Sequence, residues 1–161
     1  MNEGAQAIVM WKLGFGNMND ELFPESKPER PKKRALKSDW NIHRMPRRSK
    51  AYLDVEIELS DEEFEKLAWG HIPQEMEDHW FMYFDGESFN FYRSWTGFCI
   101  YKAYVERTED GFLIQKVTVN RKEDQYAETS DRRDELLVEI LISQALGRDA
   151  SVLWEQFFEV E

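Results

Sequence analysis

An arginine, a serine, a tryptophan and a threonine follow one another at residues 93–96, inside an aromatic stretch of the chain. A guanidinium presents a planar fork of donors that binds a carboxylate or a phosphate through two parallel hydrogen bonds. The hydroxyls of Ser94 and Thr96 would add polar groups beside it, and the Trp95 ring offers a flat face for stacking. These residue types predict a site for an anionic ligand that carries a flat ring.

Each of these side chains also has a structural interpretation, and the sequence leaves both open. Arg93 shares the parity of the apolar residues of its strand, where its charge requires either an internal carboxylate or a bound anion. Ser94 and Thr96 are typical turn residues whose hydroxyls bond the local backbone. Trp95 stands at a turn position that does not require an aromatic ring, so it either folds back over the core or contacts something else.

Other reactive residue types carry weaker signals. His79 is expected to face Tyr92 across two strands, which suits a general acid or base and equally suits a structural pair. Cys99 lies within a strand and is expected to be a buried, inert thiol. The three histidines have no metal-ligand spacing, so we expect neither a metal nor a cofactor. No catalytic signature is present, and enzymatic activity stays open with a non-catalytic function favoured.

The elements that must position these residues come from the aromatic stretch 79–105, which contains eleven Trp, Tyr and Phe residues. Asp85-Gly86 predicts a two-residue hairpin loop with Trp80 opposite Phe91, and residues 94–97 predict a second turn. One predicted face is dry and carries Trp80, Met82, Phe89, Phe91, Cys99, Ala103 and Val105. The other face is mixed and carries His79, Phe81, Tyr83, Asn90, Tyr92, Ile100, Lys102 and Tyr104.

Flanking patterns complete the predicted fold. Alternation over 51–59 and the run 112–119 predict strands, and Ser60 with Glu63 forms a capping box that begins a helix at about residue 61. Apolar spacing over 131–146 predicts the longest helix, and a short helix follows it. These elements predict an α+β fold: an antiparallel meander of about four to five strands, packed by one or two main helices, with a basic N-terminal arm.

Charge divides the chain into two predicted parts. The net charge of the chain is −11. Residues 27–50, which we call the basic arm, carry ten Lys and Arg against two acids, so the arm has a net charge of +8 and the rest of the chain has −19. We therefore expect residues 1–50 to form a strand, at about 7–13, followed by a Pro-rich basic arm, and residues 51–161 to form a single domain. Trp40, Ile42 and Met45 predict that part of the arm docks on that domain.

The composition also bears on partners and compartment. No apolar run approaches the roughly 18 residues of a membrane helix, and residues 1–16 lack the features of a signal peptide. The lone cysteine fits a reducing cytoplasm. A body at −19 should repel phosphate, so nucleic acid ranks below a small ligand or a protein partner. The oligomeric state stays open.

Three strings of residues carry a family resemblance: GHIP at 70–73, MEDHWF at 76–81 and RSWTGFCIY at 93–101. Together they resemble a family of small, mostly uncharacterised bacterial and phage-type domains, over roughly residues 50–120. The pattern R-S-W-T-G-x-C-I is the most distinctive part. Some relatives stand beside domains that handle ADP-ribose, so the resemblance implies a setting of ADP-ribose chemistry, and it supplies no catalytic residues.

The leading hypothesis from the sequence is a domain that binds a nucleotide or an ADP-ribose derivative. Arg93 would clamp the anion, Trp95 or Tyr92 would stack on the ring, and Arg44 of the basic arm would close over it. The predicted site is completed by Ser94, Thr96 and His79. Two alternatives remain: a protein-interaction or inhibitor module that uses the mixed sheet face, and a single-strand nucleic-acid binder that uses the basic arm.

Overall fold

The computed structural model describes residues 33–160, which form a five-stranded antiparallel sheet with three α-helices. The strand order is β1-β5-β4-β3-β2, so β2 to β5 make a meander and β1 lies beside β5. The predicted α+β fold is confirmed, whereas the predicted strand at 7–13 lies outside the described residues. The strands are β1 Lys50–Leu59, β2 Trp80–Phe84, β3 Ser88–Arg93, β4 Cys99–Arg107 and β5 Phe112–Asn120, and the helices are α1 Asp61–Ala68, α2 Asp131–Leu146 and α3 Ser151–Glu159.

Local sequence signals account for the helix ends. The Ser60 hydroxyl accepts the Glu63 N–H at 3.1 Å, and the Glu63 carboxylate accepts the Ser60 N–H at 3.0 Å, so the capping box begins α1 as predicted. Helix α2 begins after Ser130, whose hydroxyl accepts the Arg133 N–H, and it ends at the left-handed Gly147. None of the helices among residues 33–160 combines the length and the apolar character that a membrane crossing requires.

The sheet is covered on both faces. The helices cover one face, which we call the helix face, and bury the main core there with residues such as Phe91, Ile114 and Leu141. The opposite face, which we call the arm face, holds a smaller cluster of Phe81, Tyr83, Tyr92 and Cys99. Residues of the basic arm pack on that smaller cluster: Ala35, Trp40, Ile42 and Met45. The predicted docking of Trp40, Ile42 and Met45 is therefore confirmed.

The first hairpin has a longer turn than predicted. Trp80 pairs with Arg93 rather than with Phe91, and Phe84 pairs with Phe89. The Asp85 carboxylate explains the difference, because it accepts the N–H groups that follow it in the turn, at 2.9 and 2.7 Å. The strand register therefore differs from the prediction by two residues. Because side chains alternate between the two faces of a strand, a shift of two leaves each residue of this hairpin on its predicted face.

The second hairpin contains a β-bulge that reverses two predictions. Tyr92 pairs with Cys99 and Phe91 pairs with Tyr101, which leaves Ile100 as the extra residue. Cys99 was predicted on the dry face and instead joins the arm face, while Ile100 joins the helix-face core. The bulge places Ile100, which is fully buried, under the helices.

Candidate functional site

The turn at 93–97 is the place where the basic arm attaches to the sheet. The Trp40 indole N–H donates to the Ser94 carbonyl at 2.8 Å, and the His43 N–H donates to the Gly97 carbonyl at 2.9 Å. Gly97 has a φ of +74°, and a Cβ added there would lie 2.2 Å from the Asn41 carbonyl oxygen. Only glycine fits this close approach. The glycine of the R-S-W-T-G string therefore serves arm docking, a role that the sequence did not reveal.

Arg93 lies on the helix face, away from the basic arm. Its guanidinium stands over the Trp80 ring, 4.5 Å from the ring centroid. Burial lowers the pKa of Arg93, and the nearby Tyr126, Tyr101 and Asp134 act in the opposite direction. The positive charge of Arg93 thus faces a set of groups inside the protein.

That interior set is a buried polar cluster around Asp134. Asp134 is fully buried, and its Oδ1 accepts the hydroxyls of Tyr101 and, at 2.5 Å, Tyr126. Arg121 Nη1 lies 2.6 Å from Oδ2 of the same carboxylate. Burial raises the pKa of Asp134, opposed by the two tyrosine hydroxyls and by Arg121. A network this deeply enclosed specifies how α2 docks on the sheet.

Sequence reasoning missed the Asp134 cluster, although one signal could have found it. Asp134 stands three and seven residues before Leu137 and Leu141, on the apolar stripe of α2. A carboxylate on an apolar stripe requires buried donors. Tyr101 was the available partner in the neighbouring aromatic strand.

The other residues of the 93–97 turn have structural partners or face outward. The Ser94 N–H donates to the His79 carbonyl at 2.9 Å, and the Thr96 hydroxyl accepts the Phe98 N–H at 3.3 Å. Trp95 is 67 % exposed, so its ring does not fold over the core. Of the predicted site residues, His79 and Trp95 lie side by side, whereas the Arg93 guanidinium stands over Trp80.

His79 and Tyr92 do not face each other as the sequence suggested. Tyr92 pairs with Phe81 across the strands, and the His79 ring lies 5.3 Å from the Trp95 ring. Burial lowers the pKa of His79, and the Arg93 charge lowers it further. Burial also raises the pKa of Tyr92 above its ordinary value. The two groups are therefore both neutral near pH 7 and are not a coupled acid–base pair.

A groove of about 790 Å³ lies between the basic arm and the arm face of the sheet; we call it the arm groove. It contains two of the predicted site residues, Arg44 and Tyr92. Its charged lining consists of Lys37, Arg44, Lys50, Lys102 and Asp85, and its tyrosines are Tyr83, Tyr92 and Tyr104. Among the described residues that line the groove, four cations against one carboxylate give a formal charge of +3, with His43 counted as neutral.

The charges of the arm groove are only partly compensated. Lys102 donates to the Asn90 side-chain oxygen at 2.7 Å and lies 3.6 Å from an Asp85 oxygen. Burial disfavours the charged form of Asp85, but backbone N–H donors outweigh it and lower its pKa, so it is ionised at neutral pH. Among residues 33–160, no carboxylate forms an ion pair with Arg44 or Lys37. Both residues are exposed and line the groove, so a ligand in the groove can reach them.

Cys99 lines the arm groove without being reactive. Its side chain is 1 % exposed, and burial raises the pKa of its thiol to about 12. A thiol with such a pKa is protonated at neutral pH and is a poor nucleophile. The predicted buried, inert cysteine is confirmed, although it lies on the face opposite to the predicted one.

A second cavity, of about 800 Å³, has the opposite charge and lies near the ends of β1 and β5. Its lining includes Glu56, Glu58, Glu139 and Asp110, with Arg148 as its cation. Arg148 is committed to Glu63, with Nη2 2.7 Å from the carboxylate. In the described part of the chain, no three His, Cys, Asp or Glu side chains are grouped as a metal site would need. The arm groove is therefore the better place for an anion.

Comparison with known proteins does not connect this chain to a family. The family resemblance seen in the sequence therefore stays a prediction. No family model, curated protein or solved structure matches the chain.

Proposed function

We propose that the arm groove binds a small anionic ligand with a flat ring, of the nucleotide or ADP-ribose type. The observation that carries this proposal is a groove whose described lining residues include three tyrosines and have a formal charge of +3, in a chain of net charge −11. A cationic pocket on an acidic protein requires a reason, because the remaining surface would select cations. In this proposal Arg44 holds the anion, and Arg93 has the structural role that its interior surroundings support.

The aromatic part of the ligand has a matching surface. Tyr83 and Tyr92 are stacked on each other with centroids 5.9 Å apart, and both are nearly buried. Tyr104 is 37 % exposed and stands at the same groove, so its ring is the one that a ligand can reach. Stacking on a tyrosine beside a guanidinium is a common way to hold a nucleotide.

The charge distribution favours a small anion over a polyanion. At physiological salt the Debye length is about 8 Å, so a ligand inside the groove senses mainly the nearby cations. A nucleic acid extends beyond the groove and meets the acidic remainder of the chain. Stacking of bases on the sheet would also require access to Phe81 and Tyr92, which are at most 4 % exposed.

The same burial weighs against the sheet face as a protein-interaction surface. Of the aromatic anchors expected there, Phe81, Tyr83 and Tyr92 lie under the basic arm, and only Tyr104 is exposed. An interface hot spot needs anchors that a partner can reach. We also propose a cytoplasmic setting, since the lone thiol is buried and needs no oxidising compartment.

A thermal-shift panel on the full chain tests the proposal. The panel contains AMP, ADP and ADP-ribose, with adenosine and inorganic phosphate as the two fragments. We expect at least one complete compound to stabilise the fold; at a hundredfold excess over Kd this amounts to about 2.7 kcal/mol. For a domain of this size that is a rise in Tm of about 5–10 °C. Absence of any shift, or an equal shift with phosphate alone, would contradict the proposal.

A further inference from the structure

An exposed apolar knob lies outside the arm groove, at the tip of the turn between β3 and β4. Trp95 is 67 % exposed and Met76 is 74 % exposed. The Trp95 indole N–H donates to the Met76 carbonyl at 3.1 Å, which joins the two residues although they are nineteen positions apart in the chain. We call this pair the Trp95–Met76 knob. None of the residues that line the arm groove belongs to it.

The knob is held firmly by the structure beneath it. The Gly97 N–H donates to the Arg93 carbonyl at 2.8 Å and closes the turn. On either side of the tip, the carbonyls of Ser94 and Gly97 accept hydrogen bonds from the basic arm. The His79 ring lies 5.3 Å from the indole ring. A tryptophan that is already positioned loses little conformational entropy when a partner covers it, which is a property of interface hot spots.

The charged side chains on the Met76 side of the knob are acidic. Glu75 and Glu77 flank Met76 in the chain and are both exposed. Asp78 follows them and lies 2.6 Å from the His71 ring nitrogen. The chain as a whole is also acidic, at −11. A partner that approaches this surface is therefore favoured if it is basic, because complementary charge speeds the encounter and excludes acidic competitors.

We propose that the Trp95–Met76 knob is a docking surface for a basic polypeptide partner. The recognised segment combines Lys or Arg with an aromatic or long aliphatic side chain. Its apolar residue covers Met76, a cation lies over the Trp95 face, and its remaining charges meet Glu77. Tryptophan is the aromatic ring with the strongest attraction for such a cation. The partner surface is independent of the arm groove, so this proposal and the proposed function can fail separately.

Peptide selection against the intact chain tests the docking surface. A library of random linear peptides displayed on phage is selected on the full chain, and enriched peptides are then measured by calorimetry. We expect enriched sequences that are rich in Lys and Arg and contain an aromatic or aliphatic residue. Their affinity should fall at least tenfold on Trp95→Ala and should also fall when salt is raised. Tyr52→Ala is the matched control, since Tyr52 is 69 % exposed on β1.

Two further variants keep the test decisive. Met76→Ala changes the knob from a different chain segment, so it replaces Trp95→Ala if that variant loosens the turn. Glu77→Gln should weaken the same peptides by a smaller factor through charge alone. Failure to enrich any peptide family, enrichment of acidic peptides, or equal binding by wild type and both knob variants would overturn the proposal.

Discussion

The variant Gly97→Ala should release the basic arm from the sheet. Any L-residue at the φ of +74° costs about 1–2 kcal/mol, and the added methyl would lie 2.2 Å from the Asn41 carbonyl oxygen. The arm must therefore move. The matched control is Gly86→Ala, because Gly86 also has a positive φ, of +100°, but a Cβ there meets nothing within 4 Å. Gly86→Ala therefore introduces the strain of a positive φ without a steric clash with the arm.

The size of the effect follows from the contacts that the arm would lose. Two hydrogen bonds, from Trp40 to Ser94 and from His43 to Gly97, contribute about 0.5–1.5 kcal/mol each. The stacked Trp40 and Phe81 rings, 5.9 Å apart, add about 0.5–1.5 kcal/mol. The arm should therefore open more easily by about 1.5–4.5 kcal/mol in Gly97→Ala, and by much less in Gly86→Ala.

Hydrogen exchange, followed by mass spectrometry over residues 33–46, measures how readily the arm opens. A change of 1.4 kcal/mol corresponds to a factor of ten, so exchange in that segment should accelerate at least tenfold in Gly97→Ala. Exchange there should stay near the wild-type rate in Gly86→Ala. Full protection of the segment in Gly97→Ala would refute the role assigned to the 93–97 turn.

Three other changes have defined outcomes. Asp134→Ala should lower the free energy of unfolding, measured in urea, by about 3–5 kcal/mol, because it leaves buried donors unpaired. The control Asp131→Ala, at an exposed position, should lower it by less than about 0.5 kcal/mol. Similar losses in the two variants would contradict the structural role of the buried cluster. Burial opposes ionisation of Glu63, but the Ser60 N–H and Arg148 outweigh burial and lower the pKa of Glu63 below 4.5 in the folded protein. The ionised Glu63 therefore stabilises the fold above pH 4.5, and this stabilisation is lost as the pH falls through the pKa of the folded state. The Tm difference between wild type and Glu63→Gln, worth under about 1 kcal/mol at this half-buried position, should close in acid, and a difference that widens would contradict that sign. Asp85→Asn should tighten ADP-ribose binding about threefold in calorimetry, because it removes the one carboxylate among the described residues of the arm groove. Weaker binding would count against an anionic ligand.

Local sequence patterns predict the helices and strands of this fold, but they do not predict how these elements are arranged. The capping box at Ser60 and the apolar stripe of α2 are short-range patterns, so the helix starts and the longest helix were predictable. The turn that Asp85 builds and the bulge at Ile100 depend on side chains and pairings across strands. A sequence pattern does not contain those distances, and for this reason Cys99 was assigned to the wrong face.

The candidate site was harder to predict than the fold, because it depends on where the basic arm lies. Arg44 and Tyr92 were singled out from residue type alone, and they meet at the arm groove because the arm crosses the face that carries Tyr92. Arg93 carried the same chemistry in the sequence, but strand parity directs it to the helix face, beside Trp80. Lys102 and Lys50 gave no separate signal, since neither is unusual on a strand.

Calorimetric titration of ADP-ribose into Arg44→Ala and Arg47→Ala tests the central claim most directly. Both residues are exposed arginines of the basic arm, but only Arg44 lines the arm groove. A hydrogen bond to a charged group contributes about 1.5–3 kcal/mol, so Arg44→Ala should weaken binding at least tenfold. Arg47→Ala should bind within about twofold of wild type, since it removes the same charge outside the groove. Equal losses in the two variants, or unchanged binding by Arg44→Ala, would contradict the arm groove as the ligand site.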